Sequence, residues 1–213
     1  MRALNATPFS ARLIIMTKDP VAGRVKTRLA RGIGTVAATA TYRAMVTSIA
    51  ARLGGDRRWQ TILAVSPDHA VATRMLPSNV MRVAQGNGDL GARMQRILDD
   101  LPPGPVVIVG TDIPTITTHD IAAAFKALGQ HDAVFGPSRD GGYWLIGMKR
   151  RPRNLRSFDD GVRWSSEHAL ADTTANLKNA SIALLGFQDD IDTAEDLARL
   201  RAFVGRRILP RSR

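Results

Sequence analysis

Short apolar runs alternate along the chain with longer segments in which apolar residues recur at helical spacing. The most apolar run, 106–109, has four β-branched residues in succession, which is typical of a strand buried on both faces in the middle of a parallel sheet. Other runs predict strands at 13–16, 61–65, 80–84, 133–136, 143–148 and 182–185. The segments between them predict helices at about 35–53, 67–75, 92–98 and 118–128, a helix that Ser166 can cap and that runs to about 177, and a last one after Thr193. This alternation predicts an α/β fold of three layers, α/β/α, with a mostly parallel central sheet.

The central run stops abruptly at the sequence Gly-Thr-Asp-Ile-Pro, residues 110–114. Pro114 cannot donate to a strand ladder, and it disfavours helix at Ile113. Asp112 should therefore lie just past the carboxyl end of a central strand. Ligands of open α/β sheets bind at that edge. A carboxylate there can be a metal ligand, a catalytic group or a helix cap.

The length of 213 residues, with no proline- or glycine-rich linker, predicts a single domain with its core over about 12–204 and a basic tail at 205–213. The absence of cysteine excludes disulfides, thiolate metal sites and a cysteine nucleophile. No apolar run approaches the ~18 residues of a membrane span, and residues 1–10 do not resemble a signal peptide. We therefore expect a soluble cytoplasmic protein without a membrane partner.

The net charge is +11, and most of it comes from arginine. Such a balance can indicate nucleic acid, a membrane surface or an anionic small molecule, or simply a solvated surface. Aromatic residues are few and are not interleaved with the arginines, so stacking platforms for single strands are absent. Nucleic-acid binding is therefore only a distant alternative. The arginines cluster at Arg150, Arg151, Arg153 and Arg156, and again at Arg206, Arg207, Arg211 and Arg213.

A basic loop follows the first strand and precedes the first long helix. Its cations are Arg24, Lys26 and Arg28. Fixed cations and backbone N–H groups between a strand and a helix favour a phosphate, although a solvated basic loop is the alternative. The loop lacks the spacing of a Walker A motif. Residues 32–37 match a dinucleotide-binding pattern, but they do not directly follow a strand, so Gly32 and Gly34 are expected to end a short helical turn.

Three further segments place polar residues at strand ends. Gln85 and the glycine-rich turn after it can hydrogen-bond a flat heterocycle, or the turn can merely cap the next helix. Adjacent glycines let a backbone approach a ligand closely, so Asp140 beside them could face the cleft, or could belong to an ordinary Asp-Gly turn. Thr193 and Asp196 form a capping-box pattern that leaves Asp192 unexplained. Asp192 could share a divalent cation with Asp112.

Five motifs in order carry a family resemblance that covers roughly residues 13–204. They are residues 18–29, 85–94, 110–114, 136–143 and 190–197. Together they resemble the family labelled selenodomain-associated transferase or arsenosugar-biosynthesis glycosyltransferase, which has the Rossmann-like glycosyltransferase-A fold. The wider superfamily of nucleotide-diphospho-sugar transferases also includes the molybdenum-cofactor and 2-phospholactate guanylyltransferases.

The resemblance implies a site of three parts, which are a metal position, a set of nucleotide-binding residues, and a sugar or acceptor pocket. Asp112 resembles the carboxylate that holds the metal, Mg²⁺ or Mn²⁺, on the nucleotide phosphates, and Asp192 resembles the second residue on the metal side. The usual Asp-X-Asp motif is reduced to Gly-Thr-Asp, so Gly110 offers no ligand. Lys26 and Arg28 resemble the phosphate-contacting pair of the guanylyltransferases, and both are candidates for catalysis. The nucleotide-binding residues implied are Lys18, Gly23, Lys26, Thr27, Arg28, Gln85, Gly91 and Thr111, with Gln85 and Gly91 next to the base.

The third part is the sugar or acceptor pocket. Asp140 is the candidate base, Glu167 is the reserve, and Gly141, Gly142 and Trp164 would line the pocket. The resemblance implies a metal-dependent glycosyltransferase that moves a sugar from a nucleoside diphosphate to a small acceptor. The alternative is a nucleotidyltransferase that joins a nucleoside triphosphate to a phosphorylated small molecule with release of pyrophosphate.

Overall fold

Fourteen elements, seven strands, six α-helices and a 3₁₀ turn, make up the computed structural model, which describes residues 10–151, 155–159 and 161–204. The strands are β1 (Arg12–Lys18), β2 (Gln60–Ser66), β3 (Met81–Ala84), β4 (Val106–Val109), β5 (Ala133–Pro137), β6 (Tyr143–Met148) and β7 (Ile182–Leu184). The helices are α1 (Thr27–Ile33), α2 (Thr35–Gly54), α3 (Leu90–Asp100), α4 (Thr118–Leu128), α5 (Ala169–Asn176) and α6 (Ala194–Val204), and the 3₁₀ turn is Asp68–Ala72.

The strands form one sheet in the order β3-β2-β1-β4-β6-β5-β7. Every pairing is parallel except those of β6, which is antiparallel to both β4 and β5. Strand β6 is reversed because a short turn joins it directly to β5, and only antiparallel strands can be joined in that way. The predicted mostly parallel sheet is confirmed.

Helices cover both faces of the sheet and complete the three predicted layers. On one face, α2 and α4 pack with Val107 and Val109 of β4. On the other face, α3 and the end of α5 pack with Val106 and Ile108. All four residues of β4 are at most 3% exposed, so the prediction of a strand buried on both faces is confirmed.

A third, smaller core joins helix α1, which follows the basic loop, to helix α6. It contains Leu29 from α1, Leu197 from α6, and Ile191 from the segment before α6. Gly32 lies so close to α6 that an added Cβ would be 2.6 Å from the Cβ of Ala194. Gly32 and Gly34 thus lie in and after the short helix α1, as expected, and not in a dinucleotide-binding turn. The contact brings residues 190–193 beside the basic loop.

The helix caps agree with the prediction at one end and differ at another. Thr193 and Asp196 form the predicted capping box, in which each backbone N–H donates to the other residue's side chain. The prediction that Ser166 caps α5 is wrong, because α5 begins at Ala169 and its N-cap residue is His168. The hydroxyl of Ser166 instead donates to the carbonyl of Arg163 at 2.6 Å, one turn earlier.

Several partly buried arginines hold loops in place by donating to backbone carbonyls. The guanidinium of Arg150 donates to the carbonyls of Leu101, Pro102 and Gly104, and burial lowers the pKa of Arg150. Arg52 and Arg82 bind loop carbonyls in the same way. Some of the arginines that make the chain basic therefore stabilise the fold. Arg153 and the predicted tail, 205–213, lie outside the described residues.

Within the described part of the chain, no helix is both long enough and apolar enough to cross a membrane.

Candidate functional site

A cleft of about 660 Å³ opens at the carboxyl edge of the parallel strands. It is built from the loops after β1, β3 and β4, the start of β6, and Asp192 ahead of α6. Its lining carries five cations against three carboxylates, so it suits an anionic ligand. The cations are Lys18, Arg24, Lys26, Arg28 and Arg93, and the carboxylates are Asp89, Asp112 and Asp192.

The two predicted metal-side carboxylates meet at Lys26. Nζ of Lys26 lies 2.7 Å from Oδ1 of Asp112 and 2.8 Å from Oδ1 of Asp192. It also donates to the carbonyl oxygen of Ile191 at 2.6 Å. The backbone joins the same loops, since the N–H of Ile191 donates to the carbonyl of Asp112 at 2.9 Å. The fold therefore brings the segment after β4, the residue before α1 and the segment before α6 to one point.

Lys26 holds this position as a buried cation. Its side chain is only 5% exposed. Burial by itself would lower the pKa of Lys26, but the nearby carboxylates of Asp112 and Asp192 outweigh it, so the pKa is raised. The backbone of Lys26 has φ 48°, in the left-handed region that costs a non-glycine residue about 1–2 kcal/mol. Strain of this kind persists where surrounding contacts hold it, and it is concentrated at functional sites.

The donor set around Nζ fits a hard divalent cation. Three oxygens, from Asp112, Asp192 and the Ile191 carbonyl, surround one point already filled by a positive charge. Mg²⁺ is commonly held by one or two carboxylates, with waters and substrate phosphates completing its shell. Among the described residues there is no group of three or more histidine, cysteine or acidic side chains that could hold a metal. A metal at this point would therefore need ligands from the substrate or from water.

The remaining predicted phosphate residues lie around this point with different exposures. Arg28 is 72% exposed and reaches Oδ2 of Asp192 only at 3.3 Å, so it is free to turn to a ligand. Lys18 and Thr27 line the cleft. Gly23 has φ +78° and shapes the basic loop from outside the lining.

Tyr42 of α2 lines the cleft, and its hydroxyl links the carboxyl ends of β1 and β4. Its hydroxyl accepts from the backbone N–H of Lys18 at 2.8 Å and from the hydroxyl of Thr111 at 3.4 Å. The hydroxyl of Thr17 lies 3.1 Å from it. Burial raises the pKa of Tyr42. Thr111, a predicted nucleotide-binding residue, lines the cleft and also belongs to this network. Sequence reasoning missed Tyr42, whose only signal was a phenol on the apolar face of a helix.

Gln85 lines the cleft, but its amide nitrogen is already used by the fold. Nε2 donates to the carbonyls of Thr17 and Ala64, at 2.9 and 2.8 Å. Only Oε1 remains for other partners, and it accepts from Arg93 at 3.4 Å. Arg93 also lines the cleft, and its guanidinium donates to the hydroxyl of Ser66 at 2.9 Å and to the carbonyl of Gly88 at 2.8 Å. Sequence reasoning also missed this arginine, one turn into the helix after the glycine-rich turn.

Gly91 and Trp164 are brought together by packing, and neither lines the cleft. A Cβ at Gly91 would lie 2.5 Å from Cζ2 of the Trp164 ring. The missing side chain of Gly91 therefore leaves room for the indole ring of Trp164 to pack against α3. Its contact with a base and the place of Trp164 in an acceptor pocket stay predictions.

Asp140, Gly141 and Gly142 form a tight turn outside the lining of the cleft. Oδ1 of Asp140 accepts from the N–H of Gly142 at 3.0 Å, as in an ordinary Asp-Gly turn. Gly141 has φ +82° and packs directly against the carbonyl of Glu167, whose side chain is 79% exposed. The turn lies near the segment before α6, since Nε of Arg139 is 3.0 Å from Oδ1 of Asp189. Burial and the charges of Asp192 and Asp140 raise the pKa of Asp190. The role of Asp140 as a base stays a prediction.

Comparison with known proteins assigns the chain to a family. Residues 49–166, more than half of the chain, match the family described as "Uncharacterized protein conserved in bacteria (DUF2064)". The chain belongs to this family. A curated relative of this DUF2064 protein is the 2-phospho-L-lactate guanylyltransferase of Methanopyrus kandleri, which is 32% identical over 117 residues. That match spans 54% of this chain and 60% of the relative's length.

Solved structures extend the likeness over nearly the whole chain. A protein from Desulfovibrio desulfuricans G20, provisionally named a nucleotide-diphospho-sugar transferase, superposes with a TM-score of 0.82 and 28% identity, covering 93% of this chain and 89% of its own. The predicted relationship to nucleotide-diphospho-sugar transferases and 2-phospholactate guanylyltransferases is thereby confirmed.

Two more distant structures share the fold alone. The 4-diphosphocytidyl-2C-methyl-D-erythritol synthase of Anaerococcus prevotii has a TM-score of 0.59 and 13% identity, covering 93% of this chain and 99% of its own. A Mycobacterium tuberculosis protein in complex with manganese has a TM-score of 0.53 and 18% identity, covering 91% of this chain and 98% of its own.

Proposed function

We propose that this DUF2064 protein is a transferase that binds a nucleoside phosphate in the cleft. The observation that carries the proposal is the convergence of Asp112, Asp192 and Lys26 at the carboxyl edge of the sheet, inside a cleft where cations outnumber carboxylates. Ligands of open α/β sheets bind at this edge. The relatives named above, which act on or are named for nucleotides, support the same class of substrate.

Nucleotidyl transfer is the reaction that the cleft supports best. An oxygen of a phosphorylated small acceptor would attack the α-phosphorus of a nucleoside triphosphate. The new P–O bond forms as the bond from the α-phosphorus to the bridging oxygen of the β-phosphate breaks, and pyrophosphate leaves with that electron pair. Both substrates are strongly anionic, which matches an excess of cations over carboxylates in the lining. The guanylyltransferase relative supports this choice.

The chain's own residues would position the phosphates and offset their charge. Arg28, which is exposed and loosely paired, would contact the leaving phosphates, and Lys18 and Arg24 also line the cleft. Fixed donors aimed at developing charge are a large source of rate enhancement. Asp112 and Asp192 would hold Mg²⁺ or Mn²⁺, which supplies further positive charge next to the phosphates when bound.

Glycosyl transfer from a nucleoside diphosphate-sugar is the second candidate. The extent of the likeness to the Desulfovibrio protein favours it. In that reaction an acceptor hydroxyl attacks the anomeric carbon, the bond to the diphosphate breaks, and a base removes the hydroxyl proton. Asp140 is the proposed base, although the turn that carries it would have to move toward the cleft.

Calorimetric titration tests the proposal and separates the two reactions. The unaltered protein is titrated with nucleoside triphosphates, diphosphates and diphosphate-sugars, each with Mn²⁺ and after chelation. Preference for a triphosphate, together with pyrophosphate release in the presence of a phosphorylated acceptor such as 2-phospholactate, supports nucleotidyl transfer. Preference for a diphosphate-sugar supports glycosyl transfer.

An Asp112→Asn variant tests the metal position. We expect it to lose the metal-dependent part of nucleotide binding, because Asn offers a weaker ligand and no charge. Asp56→Asn is the matched control, since Asp56 pairs with Arg58 in the loop before β2, at the opposite edge of the sheet. Nucleotide affinity that is the same with Mn²⁺ and after chelation in the unaltered protein would refute the metal-dependent mechanism.

A further inference from the structure

The ammonium group of Lys26 lies where a cation shared by Asp112 and Asp192 would lie. We propose that Lys26 and the divalent cation exclude one another at this position. In the metal-free protein Lys26 holds the two carboxylates together, and the metal enters only when the lysine leaves and turns to the nucleotide phosphates. This inference rests on the proposed function, because it assumes that a metal binds there.

The distances leave no room for both cations. Mg²⁺ holds oxygen ligands at about 2.0–2.1 Å. A metal bound to the Oδ1 atoms of Asp112 and Asp192 from the side on which Lys26 lies would overlap Nζ, which is 2.7 and 2.8 Å from the same two atoms. The two positive charges would also repel each other at contact distance in a largely buried position.

The hydrogen bonds of Lys26 support the same conclusion. An ammonium group has three donors and no acceptor. Three oxygens, from Asp112, Asp192 and the Ile191 carbonyl, lie within 2.8 Å of Nζ. As it stands, Lys26 therefore has no donor left for a phosphate. It can contact the nucleotide only by giving up these partners, and a metal that takes them over would free it.

Lys26 can make this change without a rearrangement of the fold. The ammonium is carried on a flexible four-carbon stem, and Lys26 lines the cleft into which it would turn. Both before and after the exchange, the two carboxylates are paired with a cation, so neither end state leaves two like charges close together without a counter-charge.

The nearby cation Arg28 differs from Lys26 in its exposure and in its contacts with the two carboxylates. Its guanidinium is exposed, and its only contact with the pair is at 3.3 Å, to Oδ2 of Asp192. Arg28 therefore shares the local charge of Lys26 but does not occupy the cation position, which makes it the matched control.

Titration with Mn²⁺ chloride in the absence of nucleotide tests the exclusion, with free Mn²⁺ measured by electron paramagnetic resonance. We expect Lys26→Met to bind Mn²⁺ about tenfold to a hundredfold more tightly than the unaltered protein, since it removes a competing charge within a few ångströms. Arg28→Met makes the same change in net charge and should shift the affinity much less. Equal or weaker Mn²⁺ binding by Lys26→Met would overturn the inference.

The same titration in the presence of a nucleoside triphosphate, measured against a titration of the nucleotide alone because the nucleotide itself binds Mn²⁺, separates this inference from the proposed function. If the unaltered protein binds Mn²⁺ with the nucleotide and Lys26→Met gains nothing without it, the exclusion is wrong and the metal-dependent function stands. If neither protein binds Mn²⁺ with or without nucleotide, the metal-dependent function and the inference fail together.

A second measurement uses the unaltered protein, because Lys26→Met removes the partner of two carboxylates and could prevent folding. Lysines are acylated with and without Mn²⁺, and the modified residues are quantified by mass spectrometry. If Mn²⁺ releases Lys26, the extent of acylation of Lys26 should rise when Mn²⁺ is added. The acylation of Lys126, which lies on α4, should stay constant. Unchanged modification of Lys26 at saturating Mn²⁺ would overturn the inference.

Discussion

The hydroxyl of Tyr42 joins the ends of β1 and β4 beneath the cleft, and its removal tests whether this network holds the site together. In a Tyr42→Phe variant the ring keeps its packing, because only one oxygen is lost. The backbone N–H of Lys18 then loses an acceptor at 2.8 Å, and the hydroxyls of Thr17 and Thr111 lose a partner each.

The expected cost follows from the burial of these groups. Tyr42 is 4% exposed and Thr111 is 3% exposed, so water cannot readily replace the lost oxygen. A buried donor left without its partner costs about 1–3 kcal/mol. We expect Tyr42→Phe to lower the free energy of unfolding by about 2 kcal/mol. For a domain of this size, that loss corresponds to a fall in Tm of about 4–8 °C.

Tyr143→Phe is the matched control, because it makes the same chemical change at the chain's other tyrosine. The hydroxyl of Tyr143 has a long contact of 3.5 Å with Thr173, whose own hydroxyl already donates to the carbonyl of Ala169 at 2.7 Å. Urea unfolding of both variants, followed by circular dichroism, should therefore show a clear loss for Tyr42→Phe and little change for Tyr143→Phe. Equal losses in the two variants, or no loss at Tyr42, would refute the network argument.

Two further predictions concern Gly141 and Asp172, which lie outside the lining of the cleft. Gly141→Ala should lower the free energy of unfolding by at least about 2 kcal/mol in the same assay, because φ is +82° and an added Cβ would collide with the carbonyl of Glu167; an unchanged midpoint would contradict this. Hydrogen bonds from Arg163 lower the pKa of Asp172, so the stabilisation is present above the unfolded pKa of about 3.9 and is lost as pH falls through the folded value. The stability difference between the unaltered protein and Asp172→Asn should therefore shrink as pH falls below about 4, and a constant difference across that range would rule out the linkage.

Much of the fold could be predicted from local patterns. The four β-branched residues of β4 indicated burial on both faces, and Pro114 indicated where the strand must end. The capping box of Thr193 and Asp196 could be predicted because both partners lie within one helical turn. The cap assigned to Ser166 was wrong because a serine satisfies a nearby carbonyl as readily as a helix N-terminus.

The candidate site was predicted less completely, because its chemistry depends on contacts between distant parts of the chain. Asp112 and Asp192 were expected to share a cation, but nothing in the sequence indicated that Lys26 fills the position between them. Gln85 was expected to contact a base through its amide, yet that amide nitrogen is used by the sheet.

The sequence by itself determined the order of strands and helices along the chain and the edge of the sheet at which Asp112 lies. It also determined the excess of positive charge available there. These properties follow from hydrophobic periodicity, from proline and from composition, all of which act locally or additively. Only the tertiary structure decided which side chains meet. Lys26 and Asp192 are 166 residues apart, and they touch because the third core seats α6 beside the basic loop. The direction of a side chain at the end of such a loop depends on packing from several elements at once, and no local pattern encodes it.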